Sequence, residues 1–156
     1  MLLPYQTEQS RINHFMEIQS STIDYYKKAA FITTDSELKK VLDKIIRRHV
    51  EIRKRLGPLL KERMEVSNRM RKVKGLLERL HREFYISLIL NTRENILEYV
   101  WQSECKMLQE VKPMMKLFSK DSLMVALLQQ YDHEIDGNLI NLETYIMQSL
   151  HRQIVF

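Results

Sequence analysis

Residues 34–56 read TDSELKKVLDKIIRRHVEIRKRL and decide the fold class. Apolar side chains and one histidine recur in this stretch at alternating steps of four and three residues, namely Leu38, Leu42, Ile45, His49, Ile52 and Leu56. This spacing keeps the six side chains on one helical face directed at a partner helix. Thr34 and Glu37 predict a reciprocal capping box, with Thr34 as the cap. Gly57 and Pro58 are expected to end or kink the helix, because proline lacks the backbone N–H and clashes with the preceding turn.

The same periodicity extends over the rest of the chain. It predicts helices at about 7–31, 35–56, 59–73, 76–90, 93–111 and 121–150. The apolar pattern continues in phase through residues 59–88, so one kinked helix remains an alternative to breaks at Gly57 and Gly75. An isolated glycine costs only about 1 kcal/mol against alanine and does not by itself end a helix. Pro113 is expected to end the helix that precedes it.

The composition agrees with a helical protein. Three glycines and three prolines in 156 residues are too few for most β architectures, and they exclude the glycine-rich loops that hold nucleotides. The length suits one domain, residues 1–156, and no linker-like tract divides it. We therefore predict an all-α protein, an antiparallel four-helix bundle with a basic helical insertion between its second and third bundle helices.

The number of cysteines and the length of the apolar runs indicate in which cellular compartment the protein lies and which cofactors are excluded. Cys105 is the single cysteine, which excludes an internal disulfide and any paired-cysteine zinc or redox motif. The first ten residues lack the pattern of an export signal, and the longest apolar run, near residues 84–90, is far shorter than a bilayer requires. We expect a cytoplasmic protein with no transmembrane segment and no cofactor.

Positive charge is concentrated in one segment. Residues 47–82 contain 13 Lys or Arg and four Asp or Glu, whereas the whole chain has a formal net charge of +5. The candidate partner-binding residues are Arg69, Arg71, Lys72, Lys74, Arg79 and Arg82. Such a patch attracts nucleic acid or anionic lipid, but the segment has no aromatic residue on which a base could stack. We favour a solvated helix face, or a self-association surface that meets an acidic patch on a second copy.

Three stretches resemble a known family: IDYYKKAA at 23–30, ELKKVLDKIIRRHVEIRKRL at 37–56 and LHREFYISLIL at 80–90. Together they resemble the uncharacterised bacterial ferritin-like four-helix-bundle family. That family has Tyr-Arg/Lys-Lys-Ala-Ala in its first helix, and Leu-His-Arg followed by an aromatic residue before its third. The matching residues here are Tyr26 to Ala30, then Leu80, His81, Arg82 and Phe84. The resemblance implies a ferritin-like bundle but no activity, since none is established for the family. Residues 59–74 depart from the family pattern because they are far more basic.

Ferritin-like bundles suggest a di-iron centre, which requires a carboxylate from each of two helices and Glu-x-x-His from each of the other two. The second helix has Ile46 where a Glu-x-x-His ending at His49 needs glutamate. Helical periodicity directs Asp24 and His133 outward. His49 and Glu104 remain on otherwise apolar stripes. We interpret His49 as a buried histidine paired with a carboxylate or another polar group. The alternatives are a reduced metal site at His49 and Glu104, and a His49 side chain that lies at the rim of the bundle in water.

The chain is therefore expected to be a non-enzymatic helical bundle that acts through protein contacts or self-association. Nucleophilic catalysis is not indicated, because no serine or cysteine accompanies an oriented base. An apolar stripe over residues 59–88 is longer than a compact four-helix core requires, and exposed apolar stripes tend to bind partners. Its central members, which we call the assembly stripe, are Val66, Met70, Val73 and Leu77. The alternatives are a metal-binding ferritin-like protein with the reduced site, and a binder of nucleic acid or anionic lipid through residues 47–82.

Overall fold

The structure is a computed structural model that describes residues 4–64 and 92–154. Within these ranges it contains no strand and consists of four helices, α1 (Pro4–Ile32), α2 (Ser36–Arg63), α3 (Arg93–Leu117) and α4 (Ser122–Ile154). The prediction of an all-α protein is confirmed over this part of the chain. The predicted helix at 76–90, and all but the first residues of the one at 59–73, lie outside the described residues.

Asp35 caps α2, one residue later than predicted. Its Oδ1 atom accepts hydrogen bonds from the backbone N–H groups of Glu37 at 3.0 Å and Leu38 at 3.2 Å. The predicted capping box with Thr34 is therefore wrong. Aspartate is a stronger cap than threonine, and its negative charge suits the positive end of the helix dipole. The Glu37 carboxylate accepts instead from Arg152 of α4, at 2.8 Å.

The break predicted at Gly57 and the helix end predicted at Pro113 are wrong, whereas the alternative of a helix that continues past Gly57 is confirmed as far as Arg63. α2 runs on through Pro58 and α3 runs on through Pro113, so neither helix ends at the predicted residue 56 or 111. Each continuation buries a large side chain beyond the proline, Leu60 in α2 and Met114 in α3. Burial of such a side chain contributes about 1.5–3 kcal/mol, which offsets much of the ~3 kcal/mol that a proline inside a helix costs.

Contacts between helix termini fix the direction of each helix. We call the end of the molecule at which α2 begins the proximal end, and the opposite end the distal end. At the proximal end, Asp35 lies 3.2 Å from Arg93 in the first turn of α3. Arg152, in the last turn of α4, contacts Glu37 in the first turn of α2. At the distal end, Arg63 of α2 lies 3.1 Å from Asp121, which precedes α4. α2 and α3 therefore run in the same direction. α4 runs opposite to both, and so does α1, which joins α2 through a short turn.

Two apolar clusters fill the space between the helices, and all four helices contribute to each. The proximal cluster includes Ile45 of α2 and Val100 of α3. The distal cluster includes Ile52 of α2 and Met107 of α3. His49 lies between Ile45 and Ile52 along α2. The two clusters therefore adjoin at the height of the buried histidine.

Asp35 joins three helices at the proximal end. Its Oδ2 atom lies 3.2 Å from Arg93 Nε and accepts a hydrogen bond from the Tyr145 hydroxyl at 3.2 Å. The Arg93 guanidinium also packs 4.9 Å from the centroid of the Tyr145 ring and donates to Ser149. Desolvation raises the pKa of Asp35, but hydrogen bonds from the Leu38 N–H and Tyr145, with the charge of Arg93, outweigh it and hold the pKa below its usual value.

We expect Asp35→Ala to lower the free energy of unfolding at neutral pH by about 1–2 kcal/mol, because α2 loses its cap. Since the folded-state pKa of Asp35 is depressed, the stabilisation by its carboxylate is present above the ordinary pKa and is lost as the pH falls through the folded value. The difference from the unmodified protein should therefore shrink below about pH 4. Urea unfolding at neutral and acidic pH measures both effects.

Thr34→Ala is the matched control, because Thr34 is exposed and is not the cap. It should change the free energy of unfolding by less than about 0.5 kcal/mol. Equal losses for the Thr34 and Asp35 variants would contradict the assignment of the cap to Asp35.

Candidate functional site

Four side chains, one from each helix, meet where the two apolar clusters adjoin: Tyr26 of α1, His49 of α2, Glu104 of α3 and Tyr131 of α4. We call them the central cluster. Each occupies the apolar stripe of its helix, and helical periodicity turns each toward the core. Tyr26, His49 and Glu104 are 0% exposed and Tyr131 is 1% exposed. The cluster is therefore shielded from bulk water.

Both ring nitrogens of His49 are hydrogen-bonded. Nδ1 lies 2.6 Å from the Tyr131 hydroxyl oxygen, and Nε2 lies 2.5 Å from Glu104 Oε1. The rings of Tyr26 and Tyr131 pack edge-on against the imidazole, at centroid distances of 5.8 Å and 5.4 Å. Each of the other three helices thus contributes a side chain that holds the histidine ring in place.

The two phenols of the cluster stay protonated over the physiological range. Burial raises the pKa of Tyr26 well above its usual value, and the negative charge of Glu104 raises it further. Burial likewise raises the pKa of Tyr131 well above its usual value. The Gln19 side chain beside it lowers this pKa, but by less than burial raises it. The Tyr26 hydroxyl donates to the Val100 carbonyl oxygen at 3.2 Å. Both hydroxyl groups are therefore neutral hydrogen-bonding groups.

The hydrogen-bond pattern admits two protonation forms of His49. In the neutral form, Tyr131 donates to Nδ1, and Nε2–H donates to the Glu104 carboxylate. In the cationic form, Nδ1–H donates to the Tyr131 oxygen and the bond to Glu104 is unchanged. Neither form directs a ring nitrogen at an outside molecule. The cluster presents no accessible general base or nucleophile.

Glu104 depends on His49 for its pairing. Its Oε1 atom makes the short bond to Nε2, whereas its Oε2 atom is buried without a hydrogen-bond partner among the described residues. A buried polar atom without a partner costs about 1–3 kcal/mol. A charge-assisted bond is about twice as strong as a neutral one, so the Oε1 bond offsets part of this cost.

The predicted burial and pairing of His49 are confirmed, and its partner is Glu104. Among residues 4–64 and 92–154, no group of three His, Cys, Asp or Glu side chains is placed to hold a metal ion. Asp24 and His133 are exposed, as the helical periodicity predicted. His49 and Glu104 supply only half of a tetrahedral ligand set.

The other candidate residues lie elsewhere. The candidate basic residues at 69–82 and the assembly stripe at 66–77 fall outside the described residues. Cys105 follows Glu104 on α3 and is partly buried. Beyond the central cluster, His14 of α1 and Glu110 of α3 form a second histidine–glutamate pair, at 3.4 Å, with both side chains in contact with solvent.

Two members of the cluster, Tyr26 and Tyr131, are not among the candidate site residues identified from the sequence. A usable signal was present, because a tyrosine on an apolar stripe needs a partner for its hydroxyl group. Asn138 of α4 was missed as well. It is 1% exposed and accepts a hydrogen bond from Arg48 at 2.8 Å. The buried polar groups of this protein therefore link α2 to α4 as well as to α3.

Comparison with known proteins adds no assignment to this geometry. No family model, no curated protein and no solved structure matches the chain. Across the described helices, no stretch has the length and apolar character needed to cross a bilayer. The function must therefore be argued from the residues themselves.

We expect the purified protein to contain no stoichiometric iron, manganese or zinc, because two ligands are too few for tight binding at a site of this kind. Elemental analysis of protein prepared without chelators measures the content directly. One or two metal ions per chain, lost in His49→Ala, would overturn this expectation and support the reduced metal site.

We expect removal of either partner of the buried pair to be strongly destabilising. His49→Leu strands the Glu104 carboxylate, Glu104→Leu strands the Nε2 donor, and each should cost about 3–5 kcal/mol. The loss of unfolding free energy in the double variant should be clearly less than the sum of the losses in the two single variants, since the double variant leaves neither group unpaired. Urea unfolding of the four proteins gives the coupling energy.

His14 and Glu110 provide the matched control for this cycle. Because both side chains are solvated, replacing either one with leucine should change the free energy of unfolding by less than about 1 kcal/mol. Strictly additive effects at His49 and Glu104 would contradict the pairing.

Proposed function

We propose that this chain is a non-enzymatic, ferritin-like four-helix bundle that acts through protein contacts or self-association. The directions of the described helices support the topology. α1 and α2 are antiparallel, α3 and α4 are antiparallel, and the chain leaves α2 at the distal end but enters α3 at the proximal end. Ferritin-like bundles have this order, with one long crossover between the second and third helices.

The interior of the bundle supports a structural rather than a catalytic role. General acid–base catalysis requires a group within hydrogen-bond reach of a substrate. Both ring nitrogens of His49 are bonded to protein side chains, and the ring has no exposed surface. The role that best fits the cluster is to fix the register of the four helices.

Exposed apolar side chains are the observation that carries the proposal. Phe31 near the end of α1 is 88% exposed, and Ile140 and Met147 of α4 are 62% and 63% exposed. Single exposed apolar residues are common on monomers. Two on one helix face, together with the assembly stripe predicted from the sequence, favour a surface that binds another protein or a second copy.

The assembly stripe gives the test of this function. Leu77→Glu should lower the mass measured by light scattering or should lower stability, because the stripe mediates contact. The reversals Arg71→Glu and Lys72→Glu should have little effect. If the basic segment instead binds nucleic acid or anionic vesicles, affinity should fall about 10³-fold or more between roughly 50 and 200 mM salt for six phosphate contacts. Such binding, with a mass unchanged by Leu77→Glu, would exclude the proposed function.

A further inference from the structure

The outer face of α4 combines acidic and apolar side chains. Ile140 and Met147 are exposed and seven residues apart, and the exposed acids Asp136 and Glu143 are also seven residues apart. Seven residues are two helical turns, or about 10.5 Å, so the four side chains form two short rows along one side of the helix. We call them the α4 face. Among the described residues, no basic side chain lies within ion-pair distance of either acid.

The charge of α4 is unusual for this chain. Residues 121–151 contain five Asp or Glu and no Lys or Arg, although the whole chain contains 25 Lys or Arg. Asp136 and Glu143 are the exposed acids of α4, and without Lys or Arg beside them on the same helix they attract a basic partner. Ile140 and Met147 give such a partner an apolar surface to contact. The methylene chains of its Lys and Arg side chains can pack there, since these chains cover apolar surface.

α2 presents a basic row with the same repeat. Lys40, Arg47, Lys54 and Lys61 follow one another at intervals of seven residues, and all four are exposed. The row is about 32 Å long at 1.5 Å per residue. Lys54 lies 3.7 Å from the exposed Glu51, and the other three members make no ion pair with a described residue. We call these four residues the α2 row.

We infer that the α4 face binds the α2 row of a second copy of this chain. The two surfaces are opposite in charge, and their side chains repeat at the same seven-residue interval, which allows the two helices to lie side by side with acids next to bases at every second turn. Ile140 and Met147 then pack against the methylene stems of the row. The inference rests on the proposed self-association and specifies the surfaces that carry it.

The chemistry of the contact determines its strength. Solvated ion pairs contribute little individually, and added salt screens them. The association is therefore reversible, and it weakens as salt is added. Because different surfaces of the two copies meet, the contact either closes twice in a two-fold dimer or leaves one α2 row and one α4 face free on each bound copy. In both cases the mass should rise with concentration at low salt.

Charge-swapped variants of the full chain test the inference by sedimentation equilibrium at low salt. The first variant carries Asp136→Lys and Glu143→Lys, and the second carries Arg47→Glu and Lys54→Glu. Each variant alone should lose association. An equimolar mixture of the two should regain it, because the reversed surfaces are again complementary. Ile140→Gln with Met147→Gln should also weaken association, while leaving the unfolding midpoint unchanged because both side chains are exposed.

Control reversals on α1 use Asp24→Lys and Lys27→Glu, two exposed positions on a helix that contributes to neither surface. They should leave the mass unchanged. The inference is overturned if the chain stays monomeric at every concentration, if neither swapped variant loses association, or if the mixture fails to regain it. If only the variant with Asp136→Lys and Glu143→Lys loses association, another basic segment binds the α4 face. That result also overturns the assignment to the α2 row. If Leu77→Glu dissociates the protein and neither swap does, the proposed function stands and the α2–α4 contact is wrong.

Discussion

The short bond between His49 Nε2 and Glu104 Oε1 sets the conditions that the rest of the core must meet. Two ionisable groups buried side by side are costly to desolvate, and their attraction repays that cost only when the geometry is good. The pair forms only if α2 and α3 have the correct rotation and height, and the Tyr131 bond adds the same requirement for α4. Apolar stripes alone tolerate small shifts along the helix axis, whereas this polar cluster does not.

Much of the fold follows from periodicity, and the remainder depends on contacts distant in sequence. Four- and three-residue spacing identifies the faces on which His49 and Glu104 lie. It does not give the height at which two helices meet, so the bond between them could not be predicted. The prediction that helices end at Pro58 and Pro113 was wrong for a related reason. Local propensity opposes a helix there, and the burial of side chains beyond each proline decides the outcome.

Charge is distributed over the four helices in a way that composition conceals. The formal net charge of +5 suggests a uniformly basic protein. In the structure, α2 displays a row of basic side chains, and α4 displays acids and exposed apolar residues with no Lys or Arg from 121 to 151. Partial neutralisation also occurs within the chain, where Arg63 of α2 meets Asp121 before α4. The sign of the surface charge therefore differs from one helix to another.

The position of Asp35 has a consequence for local unfolding. Helix termini ordinarily fray one at a time, because each end is held by its own cap. Here one carboxylate caps α2 and also contacts Arg93 of α3 and Tyr145 of α4. Opening any one of these three helix ends breaks contacts of the other two. The proximal end should therefore open as one cooperative unit, with similar amide exchange rates in the first turns of α2 and α3 and in α4 from Tyr145 onward.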